Sequence, residues 1–148
     1  MTPKSSKETD ETQIRNLIDT WAQAVRAKDS AGLVSNVASQ VLMFDVINPL
    51  QHIGSDALKN RAEQWLSSFQ GPIGYEVHNL SITAGDDVAF CHSLNRVSGT
   101  TNEGKKIDMY WRATVCFRKL DGKWTVTHEH SSVPFDAQTG KASLDLQP

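Results

Sequence analysis

The feature that most limits the possible folds is a series of glycine-containing turn signals in the second half of the 148-residue chain. Gly85-Asp86, Glu103-Gly104 and Asp121-Gly122 separate four runs in which apolar and polar residues alternate. A period of two is typical of half-buried strands, and Asp-Gly between two such runs favours a tight hairpin. The pattern therefore predicts an antiparallel meander with strands at residues 75–83, 88–101, 106–120 and 123–135.

The first half of the chain has the helical period instead. Apolar residues recur three and four positions apart over residues 14–25, which predicts a helix that ends near Lys28. A short helix after Asp29, a β-rich run over residues 41–47 and a third helix from about Ser55 follow. Helices followed by a meander are typical of an α+β domain. We expect a cone-shaped roll in which three N-terminal helices pack into a strongly curved, mixed but mostly antiparallel sheet.

One domain is expected over residues 9–135, with Thr9 or Asp10 as the cap of its first helix. Residues 1–8 are polar and predict a flexible tail. Residues 136–148 carry little pattern and predict a loose one.

Charge and hydropathy exclude several function classes. The formal net charge of −2, without a Lys/Arg cluster, gives no reason to expect a nucleic-acid partner. The apolar runs are shorter than the roughly 20 residues that span a bilayer, and the first residues lack the apolar core of a signal peptide. We therefore expect a cytoplasmic protein with no membrane or nucleic-acid partner and no cofactor.

The hairpins predict which side chains share a face of the sheet. If Asp121-Gly122 and Glu103-Gly104 are both two-residue turns, Phe117 faces Val126 on one side and Phe90 on the other. Both registers then place one apolar set toward the helices. This set is Val88, Phe90, Leu94, Trp111, Ala113, Val115, Phe117, Trp124 and Val126.

Four polar residues interrupt this apolar face toward one end of the sheet: His92, Arg96, His128 and His130. Buried groups of this kind need hydrogen-bond partners, water or a ligand. We therefore predict a small-molecule pocket at that end of the cone. The alternative is a purely structural hydrogen-bond network that includes Asp45.

The other face is expected to be solvent-exposed and to hold Ser93, Asn95 and Glu129, with Cys91 and Cys116 at its centre. It suits a partly polar homodimer interface. The same registers set the two cysteines opposite each other, so a bridge is geometrically conceivable. A reducing cytoplasm favours two free thiols.

Three segments resemble the nuclear transport factor 2-like superfamily, in its SnoaL-like and ketosteroid-isomerase-like branch. They are Lys28-Asp29-Ser30, residues 44–49 leading to Gly54, and the closing stretch at residues 121–132. The resemblance covers about residues 10–135. It implies the cone fold but no single reaction, because this fold hosts enzymes, binding modules and assembly domains.

The resemblance also implies a role for Asp45. In ketosteroid isomerase the general-base aspartate lies nine positions before the glycine that opens the third helix, as Asp45 lies before Gly54. Asp45 is thus implied as a general base or a ligand anchor. The position of that enzyme's oxyanion tyrosine is Trp21 here, and its second acid falls at Thr114 or Val115. Steroid isomerisation by that mechanism is therefore not expected.

The expected function is binding of a small, partly apolar ligand, with isomerase-, cyclase- or hydratase-type chemistry if the protein is an enzyme. Asp45, His128 and His130 are the candidate catalytic residues, because an imidazole beside a carboxylate can exchange a proton at neutral pH. The alternative for Asp45 is a purely structural role, in which it is a turn residue whose side chain binds the Ile47–Asn48 backbone. The candidate ligand-binding residues are Trp21, His92, Arg96 and Trp111.

Two further possibilities remain at this point. One is a non-catalytic ligand-binding or oligomerisation module, like the kinase-association domains of the superfamily. The other is a metal site of His128, His130 and Asp45. His92 could not join it readily, because in a flat sheet it lies about 10 Å from His128. The main expectation has no metal.

Overall fold

The computed structural model describes residues 6–148. The elements follow the predicted order, except that a two-residue strand, His52–Ile53, lies where a loop was predicted. They are α1 (Ser6–Arg26), α2 (Ser30–Leu33), β1 (Val37–Phe44), β2 (His52–Ile53), α3 (Ser55–Ser67), β3 (Phe69–Ala84), β4 (Val88–Thr101), β5 (Lys106–Leu120) and β6 (Lys123–Ser132). Among these residues, no helix combines the length and the hydropathy that a membrane crossing requires.

The sheet has six strands in the order β2-β1-β6-β5-β4-β3. β1 runs parallel to β6, and the other neighbouring strands are antiparallel. The predicted mixed, mostly antiparallel α+β architecture is confirmed.

Helix α1 forms because its apolar residues make one continuous stripe. Ile14 and Val25 are fully buried. The helix ends where Lys28 takes a left-handed φ of 56°, and Asp29 then caps α2 by accepting a hydrogen bond from the Gly32 N–H at 3.0 Å.

The start of α1 differs from the prediction. The helix already includes residues 6–8 of the predicted tail, and residues 1–5 of that tail lie outside the described residues. Asp10 is not a cap. Its carboxylate is buried against β5 and β6, where it accepts hydrogen bonds from Lys119 and Trp124.

The predicted register of β4 on β5 is wrong by one residue. Thr101 pairs with Lys105 through an N–H···O bond of 2.8 Å, so the loop holds three residues and ends on Gly104 with a φ of 82°. Ala89 therefore faces Phe117 in place of Phe90. Because side chains alternate along a strand, a slip of one residue exchanges the two faces of all of β4.

The β5–β6 hairpin is confirmed at its turn and changes beyond it. Asp121 and Gly122 both have positive φ, and Phe117 pairs with Val126 as predicted. A β-bulge at Thr127 then inserts one extra residue, so that His128 pairs with Cys116. Beyond the bulge, Glu129 therefore faces the helices.

The outer face of the sheet differs accordingly from the predicted one. It carries Phe90, which is 45% exposed, together with His92, Arg96, His128 and His130. Association of two copies through this face stays a prediction.

The two cysteines lie on opposite faces of the sheet. Cys91 pairs with Val115 and faces the core, whereas Cys116 pairs with Phe90 and faces outward. Both are free thiols, as predicted, but the predicted opposition of the two residues is wrong.

This arrangement predicts unequal thiol reactivity. Cys91 is 1% exposed, and burial raises the pKa of its thiol to about 12, so its reactive thiolate is scarce. N-ethylmaleimide should label Cys116 in the native protein and Cys91 only after unfolding, as read by peptide mass spectrometry. A Cys116→Ser variant should then take up no label while folded. Equal labelling rates, or a Cys91–Cys116 bridge under oxidant, would contradict the structure.

Part of the predicted C-terminal tail makes regular backbone contacts. Phe135 and Ala142 form a bridge, and the Asp136 N–H donates to the Lys141 carbonyl at 2.8 Å. The Asp136 side chain accepts hydrogen bonds from the backbone of Gln138 and Thr139. Residues 134–143 therefore form a small closed turn after the sheet.

Candidate functional site

A cavity of about 520 Å³ lies between the three helices and the concave face of the sheet. Its volume is typical of small-molecule sites, which span roughly 300–1,000 Å³. The space exists because small residues face it across three strands. Ala113 on β5 lies between Ser93 on β4 and Ser131 on β6 in the sheet register.

One wall of the cavity is aromatic. Three tryptophans surround the buried ring of Tyr75, whose centroid is 5.1 Å from Trp21, 5.7 Å from Trp111 and 6.4 Å from Trp65. Trp21, Trp65 and Trp111 all line the cavity, so both tryptophans that were predicted to bind a ligand lie on its wall.

The indole N–H groups of Trp21, Trp65 and Trp111 are available to a ligand. Within residues 6–148 none of them donates to a protein acceptor, whereas the indole of Trp124 donates to Asp10. A ligand oxygen in this cavity can therefore meet hydrogen-bond donors that the fold does not use.

A short chain of hydrogen bonds connects Ser93, Asn95 and Tyr75 beside this wall. The Ser93 hydroxyl donates to Asn95 Oδ1 at 2.8 Å, and Asn95 Nδ2 donates to the Tyr75 hydroxyl at 2.8 Å. Asn95 and Tyr75 are buried, so these bonds offset the cost of placing polar groups in the core. Ser93 and Asn95 also line the cavity.

Asp45 lines the cavity, as the family resemblance implied, and it has a partner that was not predicted. Its Oδ2 accepts a hydrogen bond from Arg61 Nε of α3 at 2.6 Å, and its Oδ1 accepts from the Val46 N–H at 2.7 Å. The side chains of Asp45 and Arg61 are only 9% and 16% exposed. Both carboxylate oxygens are therefore engaged in a largely buried ion pair.

Glu129 is the functional candidate that sequence reasoning missed. It faces the cavity beyond the Thr127 bulge, and within the described residues it accepts no hydrogen bond. Burial raises the pKa of its carboxyl to about 7, and the nearby negative charge of Asp45 adds to this effect. Glu129 therefore exchanges a proton readily at neutral pH.

The His128-Glu129-His130 alternation held a signal for this residue. Side chains alternate along a strand, so either the glutamate or the two histidines had to face the cavity. Without the bulge the histidines would face it. The prediction did not include the bulge, and it therefore placed the two histidines in the cavity instead of Glu129.

Four predicted site residues do not line the cavity. His92 and Arg96 lie on the outer face because of the three-residue loop, and His128 and His130 lie there because of the bulge. The predicted acid–base partnership of Asp45 with the histidines is therefore not formed.

The outward-facing residues have other partners. Arg96 forms two hydrogen bonds with Asp108, at 2.8 and 2.6 Å, and His128 Nδ1 donates to the Leu42 carbonyl at 2.7 Å. His130 packs edge-to-face on Phe44. No three His, Cys, Asp or Glu residues of the described chain are grouped so as to hold a metal ion, so the alternative metal set is not assembled.

Known proteins share this fold and part of the sequence. A family model described as SnoaL-like domain matches residues 14–136. A nuclear transport factor 2-like protein of unknown function from Pseudomonas putida is 38% identical, with a TM-score of 0.88 and coverage of 97% of this chain and 100% of that one. No protein of curated function matches the sequence.

More distant structures share the fold alone. A Novosphingobium aromaticivorans protein provisionally named a scytalone dehydratase is 14% identical, with a TM-score of 0.77 and 95% of each chain covered. A second protein from that organism, described as nuclear transport factor 2-like with a cystatin-like fold, is 13% identical, with a TM-score of 0.70. That likeness covers 89% of this chain and 86% of that one.

Proposed function

This chain belongs to the SnoaL-like domain family, and from the site in its cone we propose that it is a proton-transfer enzyme acting on a small, partly apolar carbonyl compound. The observation that carries the proposal is Glu129, a carboxyl without a protein hydrogen-bond partner among the described residues that faces an aromatic-lined cavity. A group whose pKa lies near the working pH is the most effective general acid–base catalyst.

The reaction follows from the groups in the cavity. The Glu129 carboxylate takes a proton from the carbon next to the ligand carbonyl. The electrons of that C–H bond form a C=C bond, and the carbonyl π electrons move onto oxygen. The free indole N–H groups of Trp21 and Trp111 are candidates to stabilise this oxyanion.

The protonated Glu129 then completes one of two outcomes. If the ligand has a C=C bond between the second and third carbons from the carbonyl, Glu129 returns the proton to the third carbon. The carbonyl then re-forms and the double bond moves next to it, which isomerises the ligand. If the ligand carries a hydroxyl one carbon further on, the same proton leaves with it as water, and the net reaction is dehydration. The structural neighbour that is provisionally named a scytalone dehydratase supports dehydration as the reaction class.

Asp45 is a poorer candidate for the base. Arg61 and the Val46 N–H already engage both of its oxygens. Accepting a proton would break a buried ion pair and leave the Arg61 charge without its partner, which costs free energy.

Exchange of carbon-bound protons with solvent tests the proposal directly. Wild-type protein should accelerate deuterium uptake by 2-tetralone, an uncharged bicyclic ketone, as followed by proton NMR in D₂O. Glu129→Gln should reduce the rate by about 10²–10⁴-fold, because it removes the base at nearly constant shape. Glu63→Gln, which changes an exposed carboxyl on α3, should leave the rate unchanged.

Two results would reject this mechanism. Binding of 2-tetralone without exchange above the buffer rate would identify a non-catalytic binding module. Exchange that persists in Glu129→Gln would show that another group is the base.

A further inference from the structure

We propose that the Asp45–Arg61 ion pair makes the cavity selective for uncharged ligands, and that Asp45 is the specificity-determining residue that keeps carboxylate ligands out. This inference rests on the proposed function, which places a small molecule in this cavity. It gives Asp45 a role different from that of a base.

The argument begins with the charges that face the cavity. Among the described residues that line it, the only ones with ionisable acid or base groups are Asp45, Arg61 and Glu129. Arg61 is the only cation of this set, and its Nε is 2.6 Å from Asp45 Oδ2. The remaining lining residues are apolar or uncharged, and three of them are tryptophans.

An anionic ligand would therefore enter without a counter-charge. A carboxylate that leaves water for a low-dielectric cavity needs a cation or several strong donors. The guanidinium of Arg61 is already neutralised by Asp45, and ionised Glu129 would repel a second anion. The indole N–H groups are neutral donors and hold an anion less strongly than a guanidinium does.

An uncharged carbonyl or hydroxyl compound faces none of these costs. Its oxygen can accept from a free indole N–H or from protonated Glu129, and its rings can pack on the aromatic wall. The same cavity thus admits a neutral molecule and rejects its carboxylate analogue. Selectivity of this kind comes from a built-in repulsive element as much as from attraction.

The geometry also predicts how the selectivity can be reversed. Asp45→Asn keeps the size of the side chain and an oxygen for the Val46 N–H, but removes the negative charge beside Arg61. The guanidinium is then free to bind a ligand carboxylate, which it can do with two parallel hydrogen bonds. Asp45→Asn should therefore create an anion site where the wild-type protein has none.

The test uses two probes of matched shape. 2-Acetonaphthone and 2-naphthoate differ in that a methyl group replaces one carboxylate oxygen, so the pair isolates the effect of charge. Isothermal titration calorimetry near pH 7.5 should show that wild-type protein prefers the ketone by about tenfold or more. In Asp45→Asn the ratio of naphthoate to ketone affinity should rise by about tenfold.

Two companion variants separate specificity from simple structural support. Arg61→Gln should show no gain in naphthoate binding, because it removes the cation. The double variant Asp45→Asn/Arg61→Gln should lose the gain seen in Asp45→Asn. If the ion pair only ties β1 to α3, both single variants would weaken both probes in parallel and lower the melting temperature alike, which would overturn the proposal.

Other results would overturn the inference as well. The inference fails if wild-type protein binds naphthoate as tightly as the ketone, or if it binds neither probe. It also fails if Asp45→Asn shows no gain in naphthoate binding. The proposed function fails separately, because the exchange of 2-tetralone depends on Glu129 and this titration requires no turnover.

Discussion

Replacing Glu129 with Gln should raise the free energy of unfolding by about 1–3 kcal/mol at pH 8 and leave it nearly unchanged at pH 4. Burial holds the pKa of Glu129 at about 7 in the folded protein, against an ordinary value of 4.5. Between these values the folded state binds a proton that the unfolded state has released. Wild-type stability therefore falls as the pH rises from about 4.5 to about 7. Above this range Glu129 is ionised in both states, and the folded state bears the full free-energy cost of the charged carboxylate.

Gln keeps the shape of the glutamate side chain and does not ionise, so the variant avoids this cost. Glu129 is only partly buried, so solvent screens part of its charge and the expected gain is smaller than the full shift in pKa would give. Denaturant titrations of both proteins at several pH values measure the difference. Glu63→Gln, on the exposed side of α3, is the control and should follow wild type throughout. A Glu129→Gln variant less stable than wild type at pH 8 would show that the buried charge does not destabilise the fold.

A stability gain together with loss of 2-tetralone exchange would be informative about function. It would mean that the fold tolerates an unfavourable group because the chemistry needs it, which is the trade of stability for activity that enzymes show.

Replacing Asp10 with Ala should lower the free energy of unfolding by about 2–4 kcal/mol at neutral pH. Asp10 Oδ1 accepts hydrogen bonds from Lys119 Nζ and Trp124 Nε1, each at 3.0 Å, and thereby ties α1 to the β5–β6 hairpin. The variant leaves the indole N–H of buried Trp124 without its acceptor and removes the partner of Lys119. Asp19→Ala, at an exposed position of the same helix, should cost less than about 0.5 kcal/mol.

The Asp10 effect should also depend on pH. The hydrogen bond from Lys119, followed by that from Trp124, lowers the pKa of the Asp10 carboxyl below its ordinary value of 3.8. A carboxyl with a lowered pKa stabilises the fold above its ordinary pKa, and this contribution is lost as the pH falls through the folded-state value. The difference between wild type and Asp10→Ala should therefore shrink in acid. Equal losses from Asp10→Ala and Asp19→Ala at neutral pH would show that the buried contact adds no stability.

The elements of this fold could be predicted because their signals are local. The buried stripe of α1 repeats within a few turns of helix, and Asp29 begins α2 through a hydrogen bond to a residue three positions away. The Asp121-Gly122 turn requires positive φ at both positions, which these residue types permit, so the start of the β5–β6 pairing followed from the sequence.

The candidate site was only partly predictable, because two of its determinants are not local. The family resemblance implied that Asp45 lies at the cavity, but its partner Arg61 comes from a separate helix. Trp21 and Trp111 were placed correctly because each lies on the buried side of its own element. Glu129 was placed on the wrong face.

The sequence by itself determined the order of helices and strands, the mostly antiparallel sheet and the apolar face of β5, because periodicity and turn chemistry act over a few residues. Only the tertiary structure decided which side chains of β4 and the end of β6 face the cavity. A strand has a period of two, so one extra residue in the loop before Lys105 and one at Thr127 reversed those faces. The Thr127 bulge forms where β6 pairs with β1 and β5 at once, and pairing between such distant segments is a property of the assembled sheet.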